Sequence, residues 1–265
     1  MLRNQILEES KKKKRKKIWT KFFLAIVLLV FLAGGIIYSL YLDYFRIKNI
    51  NIEGNYILNK QEIEENIKNS ISGKLFYVLP KNNILIISTE EINNNLAENF
   101  LRIKNLEVAK NFPDSLDIKI SERKTYGLFC KENGCFFLDK NGYVFSKSIF
   151  VSGDIFIKFL DERENNNITF KTYLLDINEF AQIRDFIDGL KTESVMISQV
   201  VFKKDGLFEF QTEEGWYILL SERSDYKLSL DNLKIALINQ IKEKRPELEY
   251  IDLRLENKVF YKFKD

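Results

Sequence analysis

Along the first 45 residues the polar and apolar positions fall in blocks rather than in a period. Residues 11–17 are seven consecutive cations, KKKKRKK, and Phe22–Leu42, FFLAIVLLVFLAGGIIYSLYL, is an uncharged run of 21 residues. As a helix that run spans about 31 Å, enough to cross the hydrocarbon core of a bilayer. The block pattern predicts a basic cytoplasmic tail over 1–21 and one transmembrane helix over 22–42. Lys and Arg on one flank resist translocation, so everything past Asp43 is expected outside the cytoplasm. Trp19 falls near one interface and Tyr38, Tyr41 and Tyr44 near the other. Ala33-Gly34-Gly35 imitates a signal-peptide cleavage site, but seven more uncharged residues follow it, longer than a cleaved leader needs.

Beyond residue 43 the pattern becomes periodic. Phe45–Glu53 alternates at near period two and closes at Gly54-Asn55, which predicts a strand and a turn. Asn59 precedes Lys60-Gln61-Glu62 as an N-cap with a Glu at N3, and Ile63 and Ile67 share one helical face. Residues 74–87 are apolar and irregular, with Pro80 as a breaker. Thr89 is the expected cap of a second helix carrying Ile92 and Leu96. Strands follow at Ile103–Lys110 and Leu116–Ile120, joined through Phe112-Pro113-Asp114-Ser115. Downstream, Phe180, Ile183, Ile187 and Leu190 recur at helical spacing. Strands are expected at Val195–Phe202, Leu207–Gln211 and Trp216–Leu220, then a helix over Asp225–Lys242 with Leu230, Leu233, Leu237 and Ile241 on one face. The last strands are Tyr250–Arg254 and Val259–Phe263. Asn141-Gly142 suits a type I′ hairpin turn.

Charge separates two readings of the cationic block. Residues 1–21 hold nine Lys/Arg against two acids, a balance of +7 in a chain whose net charge is +3, so the remainder holds 32 bases against 36 acids. A nucleic-acid-binding domain spreads its cations over a folded face. Here the excess is confined to the flank of an apolar span, so no nucleic-acid partner is expected; the block sets membrane topology and can touch anionic headgroups.

The residue types exclude most catalysis. There is no histidine, which removes the commonest general base and neutral metal ligand, and two cysteines cannot form a four-cysteine zinc site. Gly-rich phosphate loops and G-x-S-x-G elbows are absent. Adjacent acids such as Glu64-Glu65 and Glu213-Glu214 point to different faces of any regular element. The expectation is no catalytic residue, no cofactor and no metal. Cys130 and Cys135 bracket the expected tip of a hairpin. A four-residue loop would set them face to face for a disulfide, whereas a two-residue Asn133-Gly134 loop would set Cys130 opposite Phe137 and leave two thiols.

The order strand, helix, helix, strand, strand over residues 43–122 is that of a POTRA domain. FRIKNINIEGNYILNKQEIEENI and FLRIKNLEVAKNFPDSLDIKISERKTYGLF resemble the FtsQ/DivIB family of bacterial cell-division proteins. Pro113, Leu116, Ile118, Ile120, Glu122 and Arg123 match that family's strand signature, with Thr125 where proline is frequent. Phe136–Phe145 resembles its Asp-x-x-Gly hairpin, Tyr250-Ile251-Asp252-Leu253-Arg254 its Y-h-D-L-R strand, and Val259–Phe263 its final strand.

The resemblance implies an α+β architecture: a single N-terminal transmembrane helix, a POTRA domain (β-α-α-β-β) over 43–122, and a C-terminal mixed β domain with two or three helices over 123–265. It also implies a non-catalytic membrane scaffold at the division septum. Its partners would be FtsB/DivIC-like and FtsL-like bitopic proteins, other divisome membrane proteins and the lipid bilayer. In that family a partner adds a strand at the end of the β domain. By position the contacts would be Arg254, Leu255, Asn257, Val259, Phe260, Tyr261 and Phe263, although Val259, Tyr261 and Phe263 would equally suit a core-facing row. The alternative is a POTRA-bearing envelope assembly or secretion factor handling polypeptides. Such proteins place POTRA units before a membrane barrel, which the residues after Glu122 are too few and too helical in pattern to build.

Overall fold

A computed structural model describes residues 2–75, 79–131, 134–148, 155–163, 170–255 and 258–264, with side chains from residue 16 onward. The chain divides into two compact units, residues 1–122 and 123–265.

The first unit begins with α1 (Leu2–Leu40), whose stretch Lys16–Leu40 is long and apolar enough to cross a membrane, with an 18-residue window of mean hydropathy 2.6. The segment expected as a tail therefore has a helical backbone continuous with the span. The helix also stops two residues before the expected Leu42. Tyr41 and Leu42 donate to the carbonyls of Tyr38 and Ser39, tightening the last turn, and the Leu40 carbonyl accepts from Nδ2 of buried Asn83 at 2.8 Å. A 3₁₀ turn, Asp43–Phe45, follows.

The POTRA elements are β1 (Asn49–Glu53), α2 (Lys60–Ser70), β2 (Lys74–Leu75), β3 (Leu79–Pro80), α3 (Thr89–Asn99), β4 (Ile103–Asn111) and β5 (Ser115–Glu122). β5 is central, parallel to β1 and antiparallel to β4. A parallel pair requires a crossover, and α2 and α3 supply it. They bury Ile63, Ile67, Ile92 and Leu96 against Ile50, Ile52, Leu116, Ile118 and Ile120. The strand expected from Phe45 starts only at Asn49. The reason is that Phe45–Ile47 bonds elsewhere: Ile47 N–H donates to the Asn82 carbonyl and Ile84 N–H to the Phe45 carbonyl, both at 2.9 Å. Asn59 caps α2 through the Gln61 N–H, while α3 is capped by Ser88, one residue before the expected Thr89, through the Glu91 N–H. Past Gly54, the Glu122 carboxylate accepts the N–H groups of Tyr56, Ile57 and Leu58 at 2.8–3.0 Å and fixes the β1–α2 loop.

The second unit comprises β6 (Thr125–Lys131), β7 (Gly134–Asp139), β8 (Tyr143–Lys147), β9 (Ile157–Asp161), β10 (Thr172–Tyr173), α4 (Ile177–Lys191), β11 (Ile197–Phe202), β12 (Leu207–Thr212), β13 (Tyr217–Ser221), α5 (Tyr226–Ala236), β14 (Leu248–Asp252) and β15 (Phe260–Phe263). α5 continues as a π-helical turn, Leu237–Ile241, so the single helix expected to Lys242 changes its pitch on the way. The strands form one ten-stranded mixed sheet in the order β10-β8-β7-β6-β9-β11-β12-β13-β14-β15. β9 runs parallel to both β6 and β11, and β14 parallel to β13. The crossovers carry α4 and α5, whose apolar residues, among them Phe180, Ile183, Phe186, Leu233 and Leu237, share one core with Phe129, Phe159, Phe202, Phe210 and Ile218.

Strands β9 and β10 have no counterpart in the sequence pattern, and β6 is the first arm of the hairpin expected around Cys130 and Cys135. The turn at Asn141-Gly142 is also not type I′: only Gly142 takes a positive φ, +79°, and its N–H closes on the Asp139 carbonyl at 2.9 Å. The Asp139 carboxylate dictates this geometry by accepting the N–H groups of Asn141 and Tyr143, while Arg123 Nη1 bonds its second oxygen at 2.7 Å.

Gly127 is the closest approach within the sheet. A Cβ there would come within 2.7 Å of the Phe159 ring and 2.8 Å of the Ile157 carbonyl. Gly127→Ala is therefore expected to lower stability by about 1–3 kcal/mol through overpacking, read as a fall in the denaturation midpoint. An unchanged midpoint would contradict the close β6–β9 contact.

Candidate partner-binding edge

The last two strands are built from opposite ends of one register. β14 is anchored by Leu248 and Ile251, both buried, with Leu253 buried just beyond it. The segment leading into it is pinned by Arg245, whose guanidinium bonds the Glu193 and Ser194 carbonyls at 2.9 and 2.6 Å and pairs with Glu214. Glu214 also accepts from the Trp216 indole N–H at 3.0 Å. Burial works against the Glu214 charge, but the Arg245 and Trp216 bonds outweigh it and hold the carboxyl below its ordinary range.

β15 then returns antiparallel, with Phe260 opposite Asp252, Tyr261 opposite Ile251 and Lys262 opposite Tyr250. Val259 and Phe263 pack against the core, Tyr261 stands edge-on to Phe263 with centroids 5.5 Å apart, and Phe260 is 49% exposed on the other face. Lys262 pairs with Glu249 at 2.5 Å, and Tyr217 stacks on Tyr250 beside it.

The direction of each backbone group follows from two hydrogen bonds. Leu253 N–H donates to the Leu219 carbonyl of β13, so Ile251 and Leu253 face β13 whereas Tyr250 and Asp252 face β15. At the other end Lys264 N–H donates to the Glu247 carbonyl. By strand alternation Phe260 and Lys262 bond inward to β14, and the N–H and C=O groups of Tyr261 and Phe263 point away from the sheet. β15 ends the strand order, so this outer row has no strand beside it among the described residues.

Two of the other sheet ends carry protections that β15 lacks. β10 is only two residues long. In the first unit β4 is a nine-residue edge, but Lys104, Glu107 and Lys110 charge it. Short length and charge are the usual protections of an edge strand; β15 has Lys262 alone, between three aromatic residues.

The positions expected as contacts are not equivalent. Phe260, Tyr261 and Phe263 lie on β15, and Val259 leads into it half-buried. Arg254 and Leu255 are exposed on the connection before it, and Asn257 lies outside the described residues. Arg254 is occupied locally: its backbone N–H, Nε and Nη2 bond the Asp252 carboxylate at 3.0, 2.9 and 2.6 Å. Partial burial opposes the Asp252 charge, but these bonds prevail and lower its pKa, while the same pair raises that of Arg254. Lys262, Glu249, Tyr217 and Tyr250 on the outer face were not anticipated, although the alternation of β14 and β15 places Tyr250 and Lys262 on one side. Cys130 and Cys135 pair across the β6–β7 hairpin and are bonded to one another, S–S 2.01 Å, with the tip residues Glu132 and Asn133 outside the described residues. β9 and β11–β14 separate that hairpin from β15.

Comparison with known proteins agrees with this architecture. Residues 45–123 match the family described as POTRA domain, FtsQ-type. The cell division protein DivIB of Clostridium botulinum is 27% identical over 262 residues, covering 96% of this chain and 93% of the relative. The chain is a relative of the FtsQ/DivIB cell-division proteins. DivIB of Clostridium acetobutylicum is 32% identical over 117 residues, 44% of this chain and 43% of that relative. FtsQ of Syntrophotalea carbinolica is 24% identical over 228 residues, 83% of this chain and 74% of the relative. Across these FtsQ/DivIB relatives the aligned share of the relative thus ranges from under half to nearly all.

Asp252 is expected to titrate below an ordinary aspartate, about 3.9, in a carboxyl-carbon NMR titration, and Arg254→Ala is expected to return it toward that value. Because its folded pKa is lowered, the pair's stabilisation is present above the unfolded value and is lost as pH falls through the folded one. An unchanged titration in Arg254→Ala would contradict the assignment.

Proposed function

We propose that this chain is a bitopic, non-catalytic scaffold of the bacterial division machinery. In this reading α1 crosses the cytoplasmic membrane with its basic end inside, and both units lie beyond it at the septum. The outer row of β15 accepts a strand from an FtsB/DivIC-like partner, an FtsL-like protein joins the same assembly, and together they regulate septal cell-wall synthesis. The observation that carries the proposal is the outward N–H and C=O row of Tyr261 and Phe263, on a lightly charged terminal strand of a chain related to FtsQ/DivIB proteins. Strand addition uses such a row for affinity and the neighbouring side chains for selection. Phe260 supplies apolar area on one face and Tyr261 on the other; Lys262 and Glu249 supply charge. The block of Lys and Arg on one flank of an uncharged span supports the orientation.

Proline distinguishes the outer row from the inner ladder, since an edge strand tolerates it where the N–H faces solvent. Tyr261→Pro is expected to keep the fold and weaken binding of the FtsB/DivIC-like partner at least about tenfold, the loss of one backbone donor together with a displaced strand. Tyr261→Ala is expected to bind within a few-fold of wild type if backbone pairing dominates, as about 1 kcal/mol per hydrogen bond implies. Calorimetry or surface-capture binding on the purified chain reads both; full affinity in a folded Tyr261→Pro protein would remove β15 from the reading.

A further inference from the structure

The α1-proximal end of the POTRA unit has a surface that partner docking at β15 does not use. Hydrogen bonds place it beside the end of α1 rather than leaving it to a linker. Asn83, fully buried, donates Nδ2 to the Leu40 carbonyl at 2.8 Å and accepts the Leu85 N–H on Oδ1 at 2.8 Å. The paired segments Phe45–Ile47 and Asn82–Ile84 join this point to the start of β1. Lys48 and Asn49 N–H groups both donate to the Asp114 carbonyl, which brings the β4–β5 turn to the same end.

Three large apolar side chains stand out from that end: Tyr44 at 63% exposure, Leu85 at 44% and Phe112 at 58%. They come from three separate segments, the 3₁₀ turn after α1, the loop before α3, and the β4–β5 turn. Arg46 and Lys48 accompany them, each paired with a carboxylate, Asp43 at 2.9 Å and Asp114 at 3.6 Å. None of the three is part of the POTRA core or packed against it.

We propose that this end is a lipid-contacting surface: Tyr44, Leu85 and Phe112 enter the headgroup layer of the bilayer that α1 crosses. The occupant is a lipid surface because the patch is continuous with α1, whose Lys16–Leu40 segment is apolar enough to span and has no buried residue in its apolar window. Aromatic and aliphatic groups at that depth gain burial without losing hydration of the backbone beside them. Neutralised Arg46 and Lys48 make the contact one of apolar insertion rather than of attraction to anionic headgroups. The consequence is a POTRA unit seated on the membrane at three points, with α1 and Asn83 as the pivot. The inference rests on the proposal that α1 spans a membrane.

The chain has two cysteines, bonded to each other, so an introduced cysteine is the sole thiol of the oxidised protein. Single variants Leu85→Cys, Phe112→Cys, Tyr56→Cys and Val30→Cys would each be labelled with an environment-sensitive nitrobenzoxadiazole dye. The full chain would then be reconstituted in phosphatidylcholine vesicles carrying doxyl groups at shallow or deep chain positions. The expected result is blue-shifted emission and shallow-doxyl quenching at 85 and 112, deep quenching at 30, and water-like, unquenched emission at 56, in the β1–α2 loop. Water-like emission at 85 and 112 with deep quenching at 30 would overturn the surface while leaving the span intact. Absence of quenching at 30 as well would overturn the span and this inference with it. Equal shifts in vesicles with and without phosphatidylglycerol are expected; a shift appearing only with the anionic lipid would overturn apolar insertion in favour of charge attraction.

Discussion

Every backbone N–H and C=O in a sheet must find a partner, and a sheet that does not close leaves a row of them at each end. The second unit concentrates this constraint in one place. One end of its ten-stranded sheet is trimmed to the two residues of β10, whereas the other ends in β15, four residues with three aromatic side chains. What holds β15 is its inner ladder to β14 and the packing of Val259 and Phe263. β14 is in turn fixed by Ile251, by the Arg245 fork and by the Asp252–Arg254 pair. A firm inner neighbour is what makes a free outer row useful, because a strand that frayed would give up its own pairing to accept another.

Local chemistry was legible wherever one residue type decides the geometry. Asn59 announced α2, and the spacing of Phe180, Ile183, Ile187 and Leu190 announced α4, all four of them buried. Errors of a residue or two arose where neighbours compete: Ser88 and Thr89 are both good caps, and the helix takes the first. Phe45–Ile47 alternates like a strand, yet its partners lie at Asn82–Ile84, far along the chain, and no local pattern records that pairing. At Asn141 the dipeptide suggested two left-handed residues, but the Asp139 carboxylate selected one. β9 is five residues, IKFLD, with Lys158 and Asp161 charged, too short and too mixed for the sequence pattern to mark it as a strand between two parallel neighbours.

The candidate edge illustrates the same division at a larger scale. Alternation in FYKF assigns Tyr261 and Phe263 to one face and Phe260 and Lys262 to the other. Which strand lies beside β15, and that none follows it in the strand order among the described residues, are facts of topology set by β13, α5 and β14. The direction of the backbone groups needed the Leu219–Leu253 and Glu247–Lys264 bonds. Arg254 looked like a contact residue in the chain, but its guanidinium serves Asp252 and shapes the connection into the strand.

The central claim concerns two amides, so amide hydrogen exchange tests it most directly. In the free protein Phe260 and Lys262 should exchange slowly and Tyr261 and Phe263 rapidly. Saturating amounts of an FtsB/DivIC-like partner should slow Tyr261 and Phe263 and leave the other two as they were. Rapid exchange at Tyr261 and Phe263 in the saturated complex would contradict strand addition at β15.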